Sequence, residues 1–353
     1  MRRQFLDTGR LVNHAQTTQP LLGGEPASCD AVAQQLAQLA TANTWTPPPR
    51  FIDKRFSTYD IDQHIPGQAE AVAAVQAFAT QARRRGVTDW LRRRHKQPRG
   101  CYLDGDFGVG KTHLLAASWH AAPGSKTYAS FAEAINLAVR LGPQVAIDNL
   151  AADLVCIDEF ELDDPSNTRL ADLLCAGLSD RGCRLLVTSN TVPGELGAGR
   201  LFVDQFRAQL VRISTLFTDI HVPGNDYRRT HGGGGSGKPA RWSADFIPQP
   251  RPRQLIISAA QLDEVLVRTP LTHLRHLHHL IDELCILDLN TFPEQLRALR
   301  FVHCIDRCYD ACIRISARAH CPIDAIFHPE YRDWAFAKKY RRCQSRLQEA
   351  CRE

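Results

Sequence analysis

The chain has 353 residues, 44% of them hydrophobic and 23% charged, with a formal net charge of +5. Such a length holds one large domain or two moderate ones, and the composition excludes a disordered, collagen-like or multi-spanning membrane protein. The mild positive balance permits a nucleic-acid or anionic-membrane partner and demands neither.

No apolar run approaches the roughly 18 residues of a membrane-spanning helix. The opening Met1-Arg2-Arg3-Gln4 is too polar for a secretion signal, so a cytoplasmic protein is expected. Twelve cysteines, several inside apolar runs (Cys101, Cys156, Cys175), then read as buried reduced thiols rather than a disulfide framework.

Residues 1–55 carry weak patterning and are expected to be a loosely attached arm with one helix near 30–39. A helical repeat follows over 67–85, where Val72, Val75 and Phe78 recur at helical spacing. From Gly100 the chain alternates. Short apolar strands are expected at 101–103, 154–157, 185–188 and 217–222, with helices from Gly110, from the capping box Ser130-x-x-Glu133, and from Pro165 to about 179. Strands alternating with helices imply a mostly parallel sheet covered on both faces.

The run from His231 to Pro239 is rich in glycine and reads as a flexible linker. Beyond it lies a smaller, mainly helical region, with a strand-like stretch near 312–316. The expected division is therefore an arm (1–55), an α/β core (56–230), a linker or insertion (231–254) and a C-terminal region (255–353).

The chemistry concentrates at the strand ends. Gly105-Asp106-Phe107-Gly108-Val109-Gly110-Lys111-Thr112 satisfies G-x-x-x-x-G-K-[ST], with a strand before it and a helix after it. In such a phosphate loop, glycines let backbone N–H groups turn inward around phosphate oxygens, the lysine meets the β- and γ-phosphates and the hydroxyl binds Mg²⁺. The nucleotide cradle is thus expected from Gly105 through Thr112 to His113, with ATP and Mg²⁺ as its ligands. A similar run, Gly232 to Lys238, ends in Pro239, which has neither hydroxyl nor N–H, and no buried strand precedes it. It is rejected as a phosphate site.

Further along, Leu154-Val155-Cys156-Ile157 ends in Asp158-Glu159, a Walker B pattern. Asp158 would share the Mg²⁺ with Thr112, and Glu159 would orient and polarise the attacking water. A third apolar strand ends in Thr188-Ser189-Asn190.

With these motifs together, the chain resembles the AAA+ ATPases, and among them the ZapE-type (AFG1-like) ATPases of bacterial cell division. The segments that carry the resemblance are the residues before the phosphate loop, Asp158-Glu159-Phe160 to Asp163, Thr188 to Leu196, Asp226-Tyr227-Arg228, Leu299 to Asp310, and Tyr340 to Leu347, within residues 65–350. The resemblance implies ATP hydrolysis, a sensor role for Asn190 towards the γ-phosphate or its water, and a homo-oligomer. In the oligomer an arginine on the helix after the sensor strand, Arg200 (or Arg207), would serve a neighbouring subunit. Arg300 is a candidate for a cis arginine. A protein partner such as the division-ring protein FtsZ, at the inner face of the membrane, is implied in the same way. Helicase-loader and transposon-helper ATPases, acting on DNA, and a nucleotide-dependent scaffold are the alternative readings.

Two features read as packing. Cys304, Cys308 and Cys312 share one helical face, with a metal site as the alternative to a core stripe. The basic runs Arg92–Lys96 and Lys338–Arg342 read as solvated faces.

Overall fold

A computed structural model describes residues 29–40, 45–81, 100–106, 108–162, 165–191, 203–225, 241–333 and 336–351. Helices α1 (Cys29–Leu39) and α2 (Gln68–Thr80) precede the first sheet. That sheet is threaded as β1 (Gly100–Asp104), α3 (Lys111–Ala121), β2 (Lys126–Ser130), α4 (Phe131–Leu141), α5 (Pro143–Leu150) and β3 (Leu154–Asp158). It continues with α6 (Pro165–Asp180), β4 (Arg184–Thr188), α7 (Val203–Thr215) and β5 (Phe217–His221).

The five strands pair in parallel in the order β2-β3-β4-β1-β5. Side chains alternate between the two faces, as the strand pleat requires. Cys101, Leu103, Cys156 and Leu186 pack with Val72 and Val75 of α2 and Leu114 of α3. Tyr102, Val155, Ile157, Leu185 and Val187 pack on the opposite face with Ile135 of α4, Ile147 of α5, Leu174 of α6 and Ile213 of α7. Both faces of β1, β3 and β4 are therefore buried, which is why these strands read as apolar runs, whereas the edge strand β5 is mostly exposed.

Helix α4 starts where the spacing predicts. The Ser130 hydroxyl accepts the Glu133 N–H at 3.3 Å, and the Glu133 carboxylate accepts the Ser130 N–H at 2.8 Å.

The second region is threaded as β6 (Trp242–Ser243), β7 (Gln254–Ser258), α8 (Ala259–Arg268), α9 (Leu271–Leu274) and α10 (Leu277–Leu280). Then come β8 (Glu283–Leu289), α11 (Gln295–Asp310), β9 (Arg314–Ala319) and α12 (Ala337–Ala350). Its helices surround a second parallel sheet in the order β6-β9-β8-β7. The stretch near 312–316 read as a strand is the start of β9; β7 and β8 are its companions. A short apolar run such as that of β8 does not distinguish strand from buried helix by periodicity, so the sheet became visible only with its partners in place.

Two parts of the chain take places that composition did not show. Val32 and Leu36 of α1 lie in the core of the second region, beside Leu266, Leu274 and Leu277. Strand β6, within the stretch 231–254 read as a linker, pairs with β9.

Candidate active site

Strand β1 delivers the chain to the phosphate loop, and the loop's backbone is one that only glycine takes without strain. Gly105 has φ +146°, and a Cβ there would stand 2.4 Å from the carbonyl oxygen of Val222. Gly110 has φ +90°, and a Cβ there would meet the Tyr59 ring at 2.7 Å. Tyr59 closes the loop from outside: its hydroxyl donates to the Val109 carbonyl at 2.6 Å, and its ring meets His113 edge-on. The His113 Nε2 lies 2.8 Å from the Arg55 carbonyl oxygen.

Lys111, the first residue of α3, turns back into this loop. Its ammonium donates to the carbonyls of Gly105 (2.8 Å) and Asp106 (2.7 Å). Burial lowers its pKa to about 8, against the pull of Asp158 and Glu161. A buried cation whose hydrogen bonds among the described residues go to neutral carbonyls is matched to an incoming anion. Phe107 lies outside the described residues.

The strand order brings the remaining groups to the same edge. Strand β4 lies between β1 and β3, so the ends of all three are neighbours. Asp158 Oδ1 accepts from the Thr112 hydroxyl at 3.2 Å and from the Thr188 hydroxyl at 2.5 Å, while its Oδ2 accepts from the Tyr128 hydroxyl at 3.2 Å. Burial, followed by the charge of Glu159, raises the Asp158 pKa to about 6.

Glu159 has φ +55°, a left-handed conformation that costs a non-glycine residue about 1–2 kcal/mol. The backbone is pinned there by its N–H donating to the Thr188 hydroxyl at 3.0 Å, and by the Phe160 N–H donating to the Thr188 carbonyl at 2.7 Å. Such strain is characteristic of functional sites. Burial acts to raise the Glu159 pKa, but Arg342 and Arg346 outweigh it and hold the carboxyl below its usual range. Asn190 donates to Glu161 at 2.7 Å. Its neighbour Ser189 is tied to β1 by an N–H donated to the Leu103 carbonyl.

These side chains line one cleft of about 1070 Å³, with Tyr59 and Ile61 on the side of the N-terminal segment and Arg342 and Arg346 of α12 on the side of the second lobe. Lys111, Thr112, Asp158, Glu159 and Asn190 are all on its wall. Arg200 lies outside the described residues, as do the Gly-rich run 231–239 and Asp226–Arg228. Arg207 is exposed on α7. Arg300 is not on the cleft: its guanidinium is held by Asp263 at 2.9 Å. Arg342 and Arg346 stand at the nucleotide side instead.

The sequence reading assigned no site role to either arginine: Arg342 falls in the run 338–342, which reads as a solvated face, and Arg346 lies just beyond it. A usable signal existed. Asp306 and Asp310 are four apart on α11, Arg342 and Arg346 four apart on α12, and each pair shares a helix face. The cysteine stripe resolves into core: Cys304 and Cys308 are buried in the second lobe, whereas Cys312 is exposed.

The donor set suits a divalent cation. A hydroxyl (Thr112) and a carboxylate (Asp158) adjoin in hydrogen-bond contact at the strand end. Thr112 and Asp158 are the residues that would hold it.

A five-stranded parallel sheet with a phosphate loop after β1, an acidic pair after β3 and a polar strand end between them defines a P-loop nucleotide-binding protein. The family model for AFG1-like ATPases matches residues 38–233, and the chain belongs to that family. Among curated proteins it is similar to the Schizosaccharomyces pombe protein C115.02c, at 27% identity over 154 residues. That match covers 37% of this chain and 33% of the yeast protein, so the chain spans about a third of the length of that relative.

Among solved structures, DnaI is similar at 18% identity and a TM-score of 0.39, over 51% of this chain and 94% of that one. Domain III of the Thermotoga maritima replication initiation protein DnaA gives 14% and 0.36, over 73% and 81%. AMPPCP-bound DnaA from Aquifex aeolicus gives 16% and 0.35, over 50% and 52%. Scores this low carry no argument about what this chain binds.

Proposed function

We propose that the chain hydrolyses ATP in a Mg²⁺-dependent reaction and uses the cycle to work on a protein partner. The observation that carries the reading is the convergence of Lys111, Thr112, Asp158, Glu159 and Asn190 on one cleft that the second lobe also lines. ATP supplies a γ-phosphoryl group whose transfer to water needs positioning and charge neutralisation more than covalent help, and Mg²⁺ would neutralise the phosphate oxygens.

The protein's own groups supply the rest. The loop from Gly105 to His113 binds the phosphates, with the Lys111 ammonium largely buried beside them. Thr112 and Asp158 hold the metal ion. Glu159 orients a water and takes its proton, and Asn190 fixes the same water or the γ-phosphate. Tyr59 and Ile61 offer an apolar wall for the base.

The finer reading extends to a homo-oligomer in which Arg200 serves a neighbouring subunit, to a cytoplasmic site of action and to a partner of the division-ring kind such as FtsZ. The last rests on the ZapE-type resemblance alone. No described helix is long and apolar enough to cross a membrane.

Phosphate release by the purified chain, beside Lys111→Ala and Glu159→Gln, tests the core of this. The expected result is turnover lost in both, with ATP binding kept in Glu159→Gln. Turnover that survives Glu159→Gln would remove the role given to that carboxylate.

A further inference from the structure

Three pieces of the chain meet away from the nucleotide cleft. Helix α4 ends at Leu141, where Gly142 with φ +87° turns the chain. Beside it runs the segment at Trp45, whose carbonyl accepts the Tyr128 N–H at 2.9 Å and so extends the edge of β2. Helix α9 of the second lobe and the turn after it form the third side. Between them lies a cavity of about 240 Å³, room for a small organic molecule, and it shares no lining residue with the nucleotide cleft.

Its wall has two halves. Leu137, Arg140 and Leu141 stand three and four apart on α4 and so share a helix face. The two leucines and the Trp45 ring make an apolar side. The other side is cationic, with Arg140, Arg275, His273 and His276, and no acidic residue is among the described lining.

Arg140 is exposed and has no carboxylate partner among the described residues. Arg275 is held from behind. Its Nη2 donates to the carbonyls of Thr46 at 2.9 Å and Tyr128 at 3.3 Å, and its guanidinium carbon lies 4.7 Å from the centre of the Trp45 ring. The Glu133 carboxylate is 3.9 Å from its Nε, beyond hydrogen-bond reach. Buried donors normally find an acceptor, yet none of the described residues supplies one to Arg275 Nη1 or Trp45 Nε1. Burial, then the charge of Arg275, lowers the His276 pKa to about 4, and burial followed by Arg140 lowers that of His273. Both imidazoles are therefore neutral near pH 7, and the two guanidiniums carry the positive charge.

We propose that this cavity binds a small organic carboxylate with an apolar body, its carboxyl group at Arg140 and Arg275 and its hydrocarbon part against Leu137, Leu141 and Trp45. The planar guanidinium fork matches a carboxylate. An inorganic anion would leave the apolar half of the wall without a contact, and a neutral hydrocarbon would leave the donors unmatched.

Hydrocinnamate, titrated calorimetrically into the full chain, is the probe, and hydrocinnamamide is its neutral match of nearly the same shape. The acid should bind one to one with a Kd of about 1 mM or below, as its size allows. The amide should bind at least about tenfold more weakly, because the bonds to a charged acceptor are lost. Arg140→Gln, a change at an exposed position, should weaken the acid about tenfold and leave the amide unmoved. Lys111→Ala should leave both affinities as they are.

Equal affinity for acid and amide, or an acid affinity indifferent to Arg140→Gln, would overturn the assignment of a carboxylate. No saturation by about 10 mM would overturn the cavity as a binding site. Binding lost in Lys111→Ala would put the probe in the nucleotide cleft and overturn the proposal as well.

Discussion

Thr188 ties the acidic strand end together, and replacing it by valine isolates that role. Its side chain is buried and makes two hydrogen bonds at once: the hydroxyl donates to Asp158 at 2.5 Å and accepts the Glu159 N–H at 3.0 Å. Valine has nearly the same shape, so Thr188→Val leaves the packing intact and removes only the oxygen. The Glu159 N–H then loses its partner, at about 1–3 kcal/mol, and a charged acceptor loses a bond worth about 1.5–3 kcal/mol. Allowing partial relaxation, the net cost is about 3 kcal/mol, or roughly 6–12 °C in Tm for a unit of this lobe's size.

The left-handed Glu159 backbone also loses a tie, so kcat should fall at least about tenfold through misplacement of the carboxylate. Scanning calorimetry and phosphate release measure the two effects. Thr188→Ser, which keeps the hydroxyl, should stay close to the native protein in both. A valine variant that melts within about 1 °C of the native chain and turns over normally would refute the reasoning, since no buried bond of that value would have existed.

Two further predictions concern the second lobe. Leu36→Ala in α1 deletes a fully buried side chain from that lobe's core and should cost about 2–5 kcal/mol in urea unfolding, a loss that a loosely attached arm would not show. His303 has its pKa lowered to about 4, chiefly by burial, with Asp306 opposing and Lys339 and Arg307 assisting. Between pH 6.5 and about 4 the unfolded chain takes up a proton at His303 that the folded chain refuses, so this group's contribution lowers stability as pH falls, by about 1 kcal/mol per unit, while Asp158, raised to about 6, acts in the opposite sense. His303→Gln should flatten that slope in melts taken from pH 7 to 5. A remainder is expected from His276 and His278, whose pKa values are likewise lowered to about 4 by burial.

Much of the first lobe was legible because its signals are local. A phosphate loop is a strand, a turn and a helix in succession, and its glycines answer backbone angles set within a few residues: Gly105 and Gly110 both have positive φ. The capping box from Ser130 to Glu133 is four residues long, and the acidic pair follows directly on its apolar run. The second lobe was less legible. The apolar stretch of β8 is as compatible with a buried helix as with a strand, and its neighbours β7 and β9 are remote in sequence. Tyr59 also escaped notice, because nothing local announces that its hydroxyl will reach Val109, 50 positions on.

The amino-acid sequence by itself determined the chemical types at the strand ends: an ammonium and a hydroxyl after β1, two carboxylates after β3, a hydroxyl and an amide after β4. Those follow from short runs whose conformations and donor groups are properties of neighbouring residues. The place of β4 between β1 and β3, which the AAA+ resemblance implies, is fixed by no short run of residues but by the tertiary structure, and it makes Thr188 the joint of the site. Strand order is a choice among non-local pairings, and a buried apolar strand fits several neighbours equally well. Tertiary packing also decided the fate of Arg342 and Arg346. Their charge in sequence argues for solvent, and they are buried because α12 lays them against Asp306 of α11 and Glu159 of the first sheet, where the negative charge that repays their desolvation is found.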